Sequence, residues 1–240
     1  MKSEFSKSYY LRTMDFDMNS KILPRAVLEI FQDVASVHAE TEGFGFRELY
    51  SKNLFWIIVR SKFIIEKQPE KYTEVNVRTW PLEPKGYFFR RDYIMEDDKG
   101  SVLIRGSSDW MVLNSITRSL ASADNIYPED AVFKTELAID EKLKKLRDFK
   151  GETQEHTITP AYCDIDMNGH VNNTKYADFI INAINPEEKE IESFQIDYLK
   201  EVLKGEPLII LTGFEENKAF ARGINENSEK MFNCEITFKD

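Results

Sequence analysis

The chain has 240 residues, 42% of them hydrophobic, and a formal net charge of −10 at pH 7. Its length allows one large domain or two of about 100–120 residues, with enough apolar side chains for a substantial core. We do not expect so acidic a chain to bind nucleic acid, because phosphate neutralisation needs clustered Lys and Arg.

Cysteine content and hydropathy indicate a compartment. With only Cys163 and Cys234, a disulfide framework and a multi-cysteine metal site are excluded, and a reducing environment is indicated. Cys163 is expected to be a small buried side chain. The opening residues, MKSEFSKSYYLRT, lack the apolar run of a signal peptide, and the longest apolar stretch, LFWIIV, is too short to span a bilayer. We therefore expect a cytoplasmic protein that does not enter membranes.

The first half of the chain opens with a predicted strand, Phe5–Arg12, and a polar turn, DFDMNSKI. From Leu23 onward the apolar residues recur at helical spacing, and Pro24 suits a first helical turn. Four further strands are predicted from segments rich in β-branched and aromatic residues. These segments are Leu54–Ile65, Glu74–Trp80, Tyr87–Met95 and Val102–Leu113.

The second half repeats this order. His156–Thr159 is strand-like, CDIDMNGHVNN forms the turn, and apolar residues from Tyr176 to Ala183 trace one face of a helix. The four strands predicted after it are Ser193–Leu199, Pro207–Phe214, Ala219–Asn225 and Phe232–Phe238.

The two polar turns are related in sequence. DFDMNSKI and DIDMNGHV begin 149 residues apart and share four of eight positions. A repeat of domain length implies two similar subdomains in tandem, residues 1–135 and 156–240. The charged segment between them, 136–155, is expected to be a helical or loose linker. Each unit is predicted to be an antiparallel sheet of about five strands on one helix, an α+β architecture.

Several motifs point to one family. The second half contains CDIDMNGHVNNTKYADFI and DYLKEVLKGEPL, and the first half contains VRTWPLEPKGYFFRRDYIM. These motifs resemble the acyl-acyl-carrier-protein thioesterases over nearly the whole chain. The resemblance implies a tandem (double) hotdog fold, each sheet wrapped around a long central helix. It further implies hydrolysis of an acyl-acyl-carrier-protein thioester without cofactor or metal, which releases a free fatty acid and terminates or diverts fatty acid synthesis.

The resemblance also assigns site residues. The family's catalytic Asp, Asn and His correspond to Asp166, Asn168 and His170, and a carboxylate on the strand after the helix corresponds to Glu201. Many plant members carry Cys after that Glu, whereas Val202 stands here, which argues against a thiol nucleophile. The first turn has Lys21 in place of His170, so the second copy is expected to be the working site and the first a scaffold copy.

Two mechanisms are open for thioester hydrolysis. In the first, Glu201 acts as general base on water, while His170 and Asn168 position the water or polarise the carbonyl. Unsatisfied backbone N–H groups at the start of the following helix would stabilise the oxyanion. In the second, Asp166 attacks directly and forms an acyl anhydride. A purely structural role for Asp166, as a helix cap or turn residue, is a third reading.

Charge is uneven along the chain. Residues 51–120 carry a net charge of +3, against −13 for the remainder. This basic stretch is either a solvated sheet face or a docking patch for the acidic acyl carrier protein. The candidate docking residues are Arg60, Lys62, Lys85, Arg90 and Arg91.

The first unit is also expected to hold the acyl pocket, which the resemblance places between its helix and its sheet. Five aromatic residues are expected to be mostly core, and some of them could line this pocket: Phe31, Phe55, Trp56, Phe88 and Phe89. Two functional alternatives are an acyl-CoA thioesterase of the same fold and a catalytically silent acyl-binding protein. The silent alternative is favoured if Glu201 faces away from His170. A homodimer that pairs through edge strands is also open.

Overall fold

The computed structural model describes residues 1–122, 126–128 and 131–239. Its helices are α1 (Pro24–Thr41), α2 (Phe46–Ser51) and α3 (Lys175–Ile184). The strands of the first half are β1 Phe5–Tyr10, β2 Leu54–Ile65, β3 Glu74–Pro81, β4 Phe89–Glu96 and β5 Val102–Asn114. Those of the second half are β6 Gln154–Ile158, β7 Ile191–Tyr198, β8 Leu208–Glu215, β9 Lys218–Ile224 and β10 Lys230–Phe238. No helix in these ranges is long and apolar enough to cross a bilayer.

The strands form one antiparallel sheet of ten, in the order β1-β3-β4-β5-β2-β7-β10-β9-β8-β6. Read outward from the β2–β7 pair, the two halves have the same strand order, so the tandem repeat predicted from the polar turns is present in the topology. The halves join where Ser61 pairs with Ile196. The predicted α+β double-hotdog fold is confirmed.

Each half wraps its sheet around one helix. Helix α1 buries an apolar stripe that includes Val27 and Phe31, and the Phe31 ring stacks on Tyr93 of β4 with centroids 4.6 Å apart. Helix α3 is shorter, and its Tyr176 meets Phe232 of β10 edge-on at 5.5 Å. The two helices also contact each other. Because both stripes are buried against sheet and partner helix, the core is continuous across the two units.

The segment between the units contains no helix before β6 begins at Gln154, so the helical alternative is wrong. It runs extended over the face of the sheet opposite the helices and is held mainly through its backbone. Arg90 donates to the carbonyls of Ile139 and Glu141, and the Ala138 N–H donates to the Asp92 carboxylate at 2.7 Å.

Farther along, the same segment is held by a buried ion pair. Asp197 of β7 accepts hydrogen bonds from Arg60 Nε at 2.5 Å and from the Leu146 N–H at 2.7 Å. Arg60 also donates to the Leu143 carbonyl. Asp197 is 1% exposed. Two strands from different units are thereby tied to one stretch of linker.

Candidate active site

The second polar turn is organised by the Asp166 carboxylate. Its Oδ1 accepts the backbone N–H of Asn168 at 2.8 Å and that of His170 at 3.4 Å. Its Oδ2 lies 3.4 Å from Asn168 Nδ2. The Asp166 N–H donates to the His170 carbonyl at 2.8 Å, which closes the turn. Asp166 therefore fixes the positions of both Asn168 and His170.

Glu201 meets His170 from the loop that follows β7, three residues beyond the strand on which it was expected. The loop is held against the turn by a bond from the Val171 N–H to the Val202 carbonyl, 2.9 Å long. His170 Nε2 and Glu201 Oε2 lie 3.2 Å apart, with side chains 31% and 48% exposed. The pair is thus within proton-transfer distance and open to solvent on one side.

The first polar turn has the same backbone with a different pair of side chains. Asp17 Oδ1 accepts the N–H groups of Asn19 and Lys21 at 2.9 and 2.8 Å, as Asp166 does in the second turn. At the position of His170, Lys21 forms an ion pair of 2.7 Å with Glu190. Because the Asp17 carboxylate closes the first turn as the Asp166 carboxylate closes the second, both aspartates have the same structural role. The His–Glu pair distinguishes the second copy.

Two adjoining cavities meet at this turn. The outer cavity, of about 960 Å³, is lined by His170, Glu201 and the β2 segment from Leu54 to Val59. The inner cavity, of about 310 Å³, runs between α1 and the first-unit sheet. Both share the lining residues Phe46, Phe55, Trp56, Asp166, Asn168 and Asn173. The register of β2 against β5 shifts at Val59, and such bulges are frequent beside active sites.

The start of α3 offers fewer free donors than expected. The Asn172 side chain accepts the Thr174 N–H at 3.0 Å, and the Asn172 carbonyl accepts the Lys175 N–H at 2.9 Å. The Asn173 N–H has no acceptor in the part of the chain that the structure describes. Asn173 lines both cavities, which makes its backbone N–H a candidate donor to a ligand oxygen there.

Two sequence profiles match almost the entire chain. The profile of the acyl-ACP thioesterase N-terminal domain matches residues 2–129, and that of the C-terminal domain matches residues 147–239. The chain belongs to the acyl-ACP thioesterase family.

Curated relatives are similar to the chain in sequence, and solved structures share its fold. Palmitoyl-acyl carrier protein thioesterase of Arabidopsis thaliana is 28% identical over 87% of the chain, which spans 54% of that relative's length. The chain therefore covers little more than half of the curated relative. The crystal structure of an acyl-ACP thioesterase from Bacteroides thetaiotaomicron superposes with a TM-score of 0.90 at 24% identity, covering 99% and 98% of the two chains. The 12:0-ACP thioesterase of Umbellularia californica gives 0.84 at 22% identity, with 100% and 98% covered.

The five basic docking candidates occupy different environments. Arg60 and Arg91 are 8% and 6% exposed, so neither is available to a partner at the surface. Lys62 pairs with Glu141 of the linker, and Arg90 is held by Asp92 and linker carbonyls. Lys85 is exposed, in the turn between β3 and β4.

The remaining expectations divide as follows. Of the five aromatic candidates, Phe55, Trp56 and Phe89 line the inner cavity, whereas Phe31 stacks on Tyr93 and Phe88 is exposed before β4. Sequence reasoning missed Phe44 and Tyr127, which line the same cavity. Cys163 is exposed, so the expectation that it is buried is wrong; it lies in the tight turn before the motif. No cluster of three or more potential metal ligands occurs within the described ranges.

Proposed function

We propose that this protein hydrolyses the thioester of an acyl-acyl-carrier-protein and releases a free fatty acid, terminating or diverting fatty acid synthesis. The observation that carries the proposal is the His170–Glu201 pair, 3.2 Å apart, on the wall of the outer cavity. The inner cavity opens from the same turn and is rich in aromatic side chains, which suits an acyl chain. Family membership and the names of the relatives support the same reaction.

In the proposed mechanism Glu201 accepts a proton from water, and the resulting hydroxide attacks the thioester carbon. The oxyanion that develops accepts a hydrogen bond from the Asn173 N–H at the start of α3. The tetrahedral intermediate expels the phosphopantetheine thiolate, which takes the proton held by Glu201 and His170. Asn168 and His170 position the water, and Asp166 orients both through their backbone N–H groups.

The duplicated turn supplies matched controls for a test of this site. His170→Ala and Glu201→Gln remove the proposed pair, while Lys21→Ala and Glu190→Gln remove the equivalent pair of the first copy. We expect the first two to lower kcat/KM for acyl-carrier-protein thioesters by about 10²- to 10⁴-fold, the range for loss of general acid–base catalysis. The two control variants should keep wild-type activity. Equal losses in both pairs would show that the turn matters only structurally.

The carrier protein is proposed over CoA as acyl donor, because the profile matches and named relatives are all of the carrier-specific family. Measuring kcat/KM for the same acyl groups on the carrier protein and on CoA decides this point. A higher kcat/KM for the CoA thioesters would identify CoA as the acyl donor and leave the proposed catalytic residues unchanged. The alternative of a catalytically silent protein that binds an acyl ligand is favoured if the Glu201 side chain faces away from His170. Their separation of 3.2 Å supports catalysis instead.

We propose that the acidic carrier docks at the mouth of the outer cavity. Arg118, exposed in the turn after β5, lines this cavity, and Lys85 lies in the β3–β4 turn at the same end of the sheet. Arg118→Glu and Lys85→Glu should raise KM for carrier-bound substrate and leave KM for acyl-pantetheine unchanged. Arg105→Glu, farther along β5, is the matched control. Equal effects on both substrates would refute docking at this end.

We also propose that the protein forms a homodimer and lies in the cytoplasm. Strands β1 and β6 form the two edges of the sheet, and a homodimer would pair along one of them. Light scattering at several protein concentrations tests this pairing. Two free cysteines, one of them exposed, suit the reducing cytoplasm, which cell fractionation tests.

A further inference from the structure

A basic segment crosses the outer face of the sheet, the face opposite the helices. It comprises residues 142–150, KLKKLRDFK, which contain five Lys and Arg and one Asp. Its net charge is +4, in a chain whose net charge is −10. Like charges concentrated in this way give one part of the surface a positive potential that the rest of the chain lacks.

The backbone of the basic segment is fixed to the sheet. Gln195 of β7 donates to the Lys144 carbonyl at 2.8 Å, and Arg222 of β9 donates to the Phe149 carbonyl at 3.2 Å. The Phe149 ring also stacks on Phe220 of β9, with centroids 4.6 Å apart. The charged side chains are therefore carried by a backbone that is already in place, which lowers the entropy lost on binding a partner.

Apolar and charged side chains of the basic segment have different environments. Leu143, Leu146 and Phe149 recur at every third position and are partly buried. The cations between them are all exposed, namely Lys142, Lys144, Lys145, Arg147 and Lys150. The apolar side chains thus hold the segment on the sheet, and the cations extend into solvent.

The five cations form no ion pair with any residue that the structure describes. The acids next to them have other partners, since Glu141 pairs with Lys62, and Asp148 pairs with Lys230 and lies 3.4 Å from Arg222. The basic segment therefore keeps its positive charge.

A cleft of about 570 Å³ beside the segment contains two further acids, Glu215 and Glu235. Glu235 is paired with Lys218 at 2.7 Å. Even with Glu215 and the exposed Glu152 counted against them, the five cations leave an excess of positive charge. An anionic partner would compensate it.

The chemistry of this surface favours a lipid bilayer over a protein as that partner. Protein interfaces centre on aromatic or apolar anchors, and none of the three apolar side chains of the basic segment is exposed. The segment crosses from β2 to β9, roughly 14 Å of sheet, and a row of cations suits the spread negative charge of lipid head groups. The proposed product gives a second reason, because a fatty acid partitions from water into a bilayer. This second reason rests on the proposed function, whereas the charge of the segment does not.

We propose that the basic segment binds the surface of an anionic lipid bilayer. Its Lys and Arg side chains lie among the lipid phosphates, and no part of the chain enters the hydrocarbon. The inner cavity lies between α1 and the other face of the sheet, so a bilayer on the outer face leaves it uncovered. Each cation close to such a surface strengthens binding about fivefold.

The test is co-sedimentation of the full chain with vesicles. One set contains phosphatidylglycerol and phosphatidylcholine, and the other contains phosphatidylcholine alone. We expect binding to the mixed vesicles at about 0.1 M salt and its loss at about 1 M, where the Debye length falls from about 10 to 3 Å. No binding to the mixed vesicles, or equal binding to both sets, would overturn the inference. The assay contains no thioester, so it stands whether or not the proposed hydrolysis is observed.

Two matched triple variants locate the effect on the surface. The first neutralises three cations of the basic segment, with Lys144→Gln, Lys145→Gln and Arg147→Gln. The second neutralises three exposed cations of the first unit and has the same net charge, with Arg47→Gln, Lys67→Gln and Lys99→Gln. The first should bind mixed vesicles roughly 100-fold more weakly than the wild type, and the second should bind as the wild type does. Equal losses would show that net charge governs binding, and would overturn the assignment to the segment.

Two further measurements separate this inference from its alternatives. Because the segment is anchored by backbone groups and by Phe149, the first triple variant should keep the melting temperature of the wild type. An acidic protein is the other class of partner for such a surface. If vesicles are not bound and the first variant raises KM for carrier-bound acyl groups but not for acyl-pantetheine, the segment binds the carrier and the bilayer inference is overturned.

Discussion

The buried pair of Arg60 and Asp197 ties the two units to their linker, and its removal tests this architecture. Asp197→Asn preserves the size of the side chain and removes its charge, leaving Arg60 buried. Breaking a buried ion pair costs about 3–5 kcal/mol. Since Asp109 Oδ2 lies 3.3 Å from Arg60 Nη1 and compensates part of the charge, we expect a value near the lower limit.

A loss of about 3 kcal/mol corresponds to roughly 6–12 °C in melting temperature for a chain of this size. Urea unfolding and calorimetry measure the free energy and the temperature. Glu235→Gln, which breaks the partly exposed pair with Lys218, is the control and should cost about 0–1 kcal/mol. The double variant Arg60→Met with Asp197→Leu should be less destabilised than Asp197→Asn, because the buried guanidinium is removed together with its main partner and Asp109 loses only its 3.3 Å contact. A loss for Asp197→Asn no larger than that of the control would refute the role of the pair.

The pH dependence of stability, the role of Asp166 and the packing at Gly106 can each be tested. Because the pKa of His38 is lowered by burial and by Arg91 from 6.5 to about 4, the unfolded chain binds a proton between these pH values that the folded chain does not. Stability should therefore fall by up to about 3 kcal/mol as the pH drops through this range, and His38→Gln should lose less in thermal melts; equal losses would contradict the assignment. Hydrolysis in ¹⁸O-labelled water should label the fatty acid and leave the Asp166 carboxylate unlabelled on mass spectrometry, whereas label in Asp166 would indicate the anhydride route. A Cβ at Gly106 would overlap the Phe31 ring, so Gly106→Ala should cost about 1–3 kcal/mol in urea unfolding, and unchanged stability would refute that contact.

Local patterns predicted much of the fold. The strand-like segments, most of them rich in β-branched and aromatic residues, match the ten strands of the described residues to within a few positions, and the two DxDMN turns revealed the repeat. Helix α2 was missed because six residues are too few to show a helical period. The predicted and observed strand bounds agree well because each strand has one face buried against the helix-covered core, which leaves apolar residues along its length.

Long-range pairing explains what the sequence did not predict. Arg60 and Asp197 are 137 residues apart, and nothing near either residue indicates the other. The linker is charged along its length, yet many of its bonds to the sheet are made by its backbone groups, which composition does not show. Adjacent Arg90 and Arg91 point to opposite faces of β4, so Arg90 holds the linker and Arg91 lines the inner cavity. Only the register of the strand distinguishes them.

The predicted site has a similar division. The spacing of Asp166, Asn168 and His170 was sufficient to place them on one turn, because their contacts are local. Glu201 was assigned by resemblance alone, since its approach to His170 depends on the loop after β7. The contrast between His170 and Lys21 predicts that only the second turn is a working site. In the structure the two side chains pair with different carboxylates, Glu201 and Glu190.

The central claim is that His170 and Glu201 act together on a water molecule. Its most direct test is the single-turnover rate of an acyl-carrier-protein thioester with the wild type, His170→Ala, Glu201→Gln and the double variant. If the two residues form one catalytic unit, each single variant should lose about 10²- to 10⁴-fold and the double variant no more than the slower single one. Rates near the wild type in either single variant, or losses that multiply in the double variant, would contradict the account.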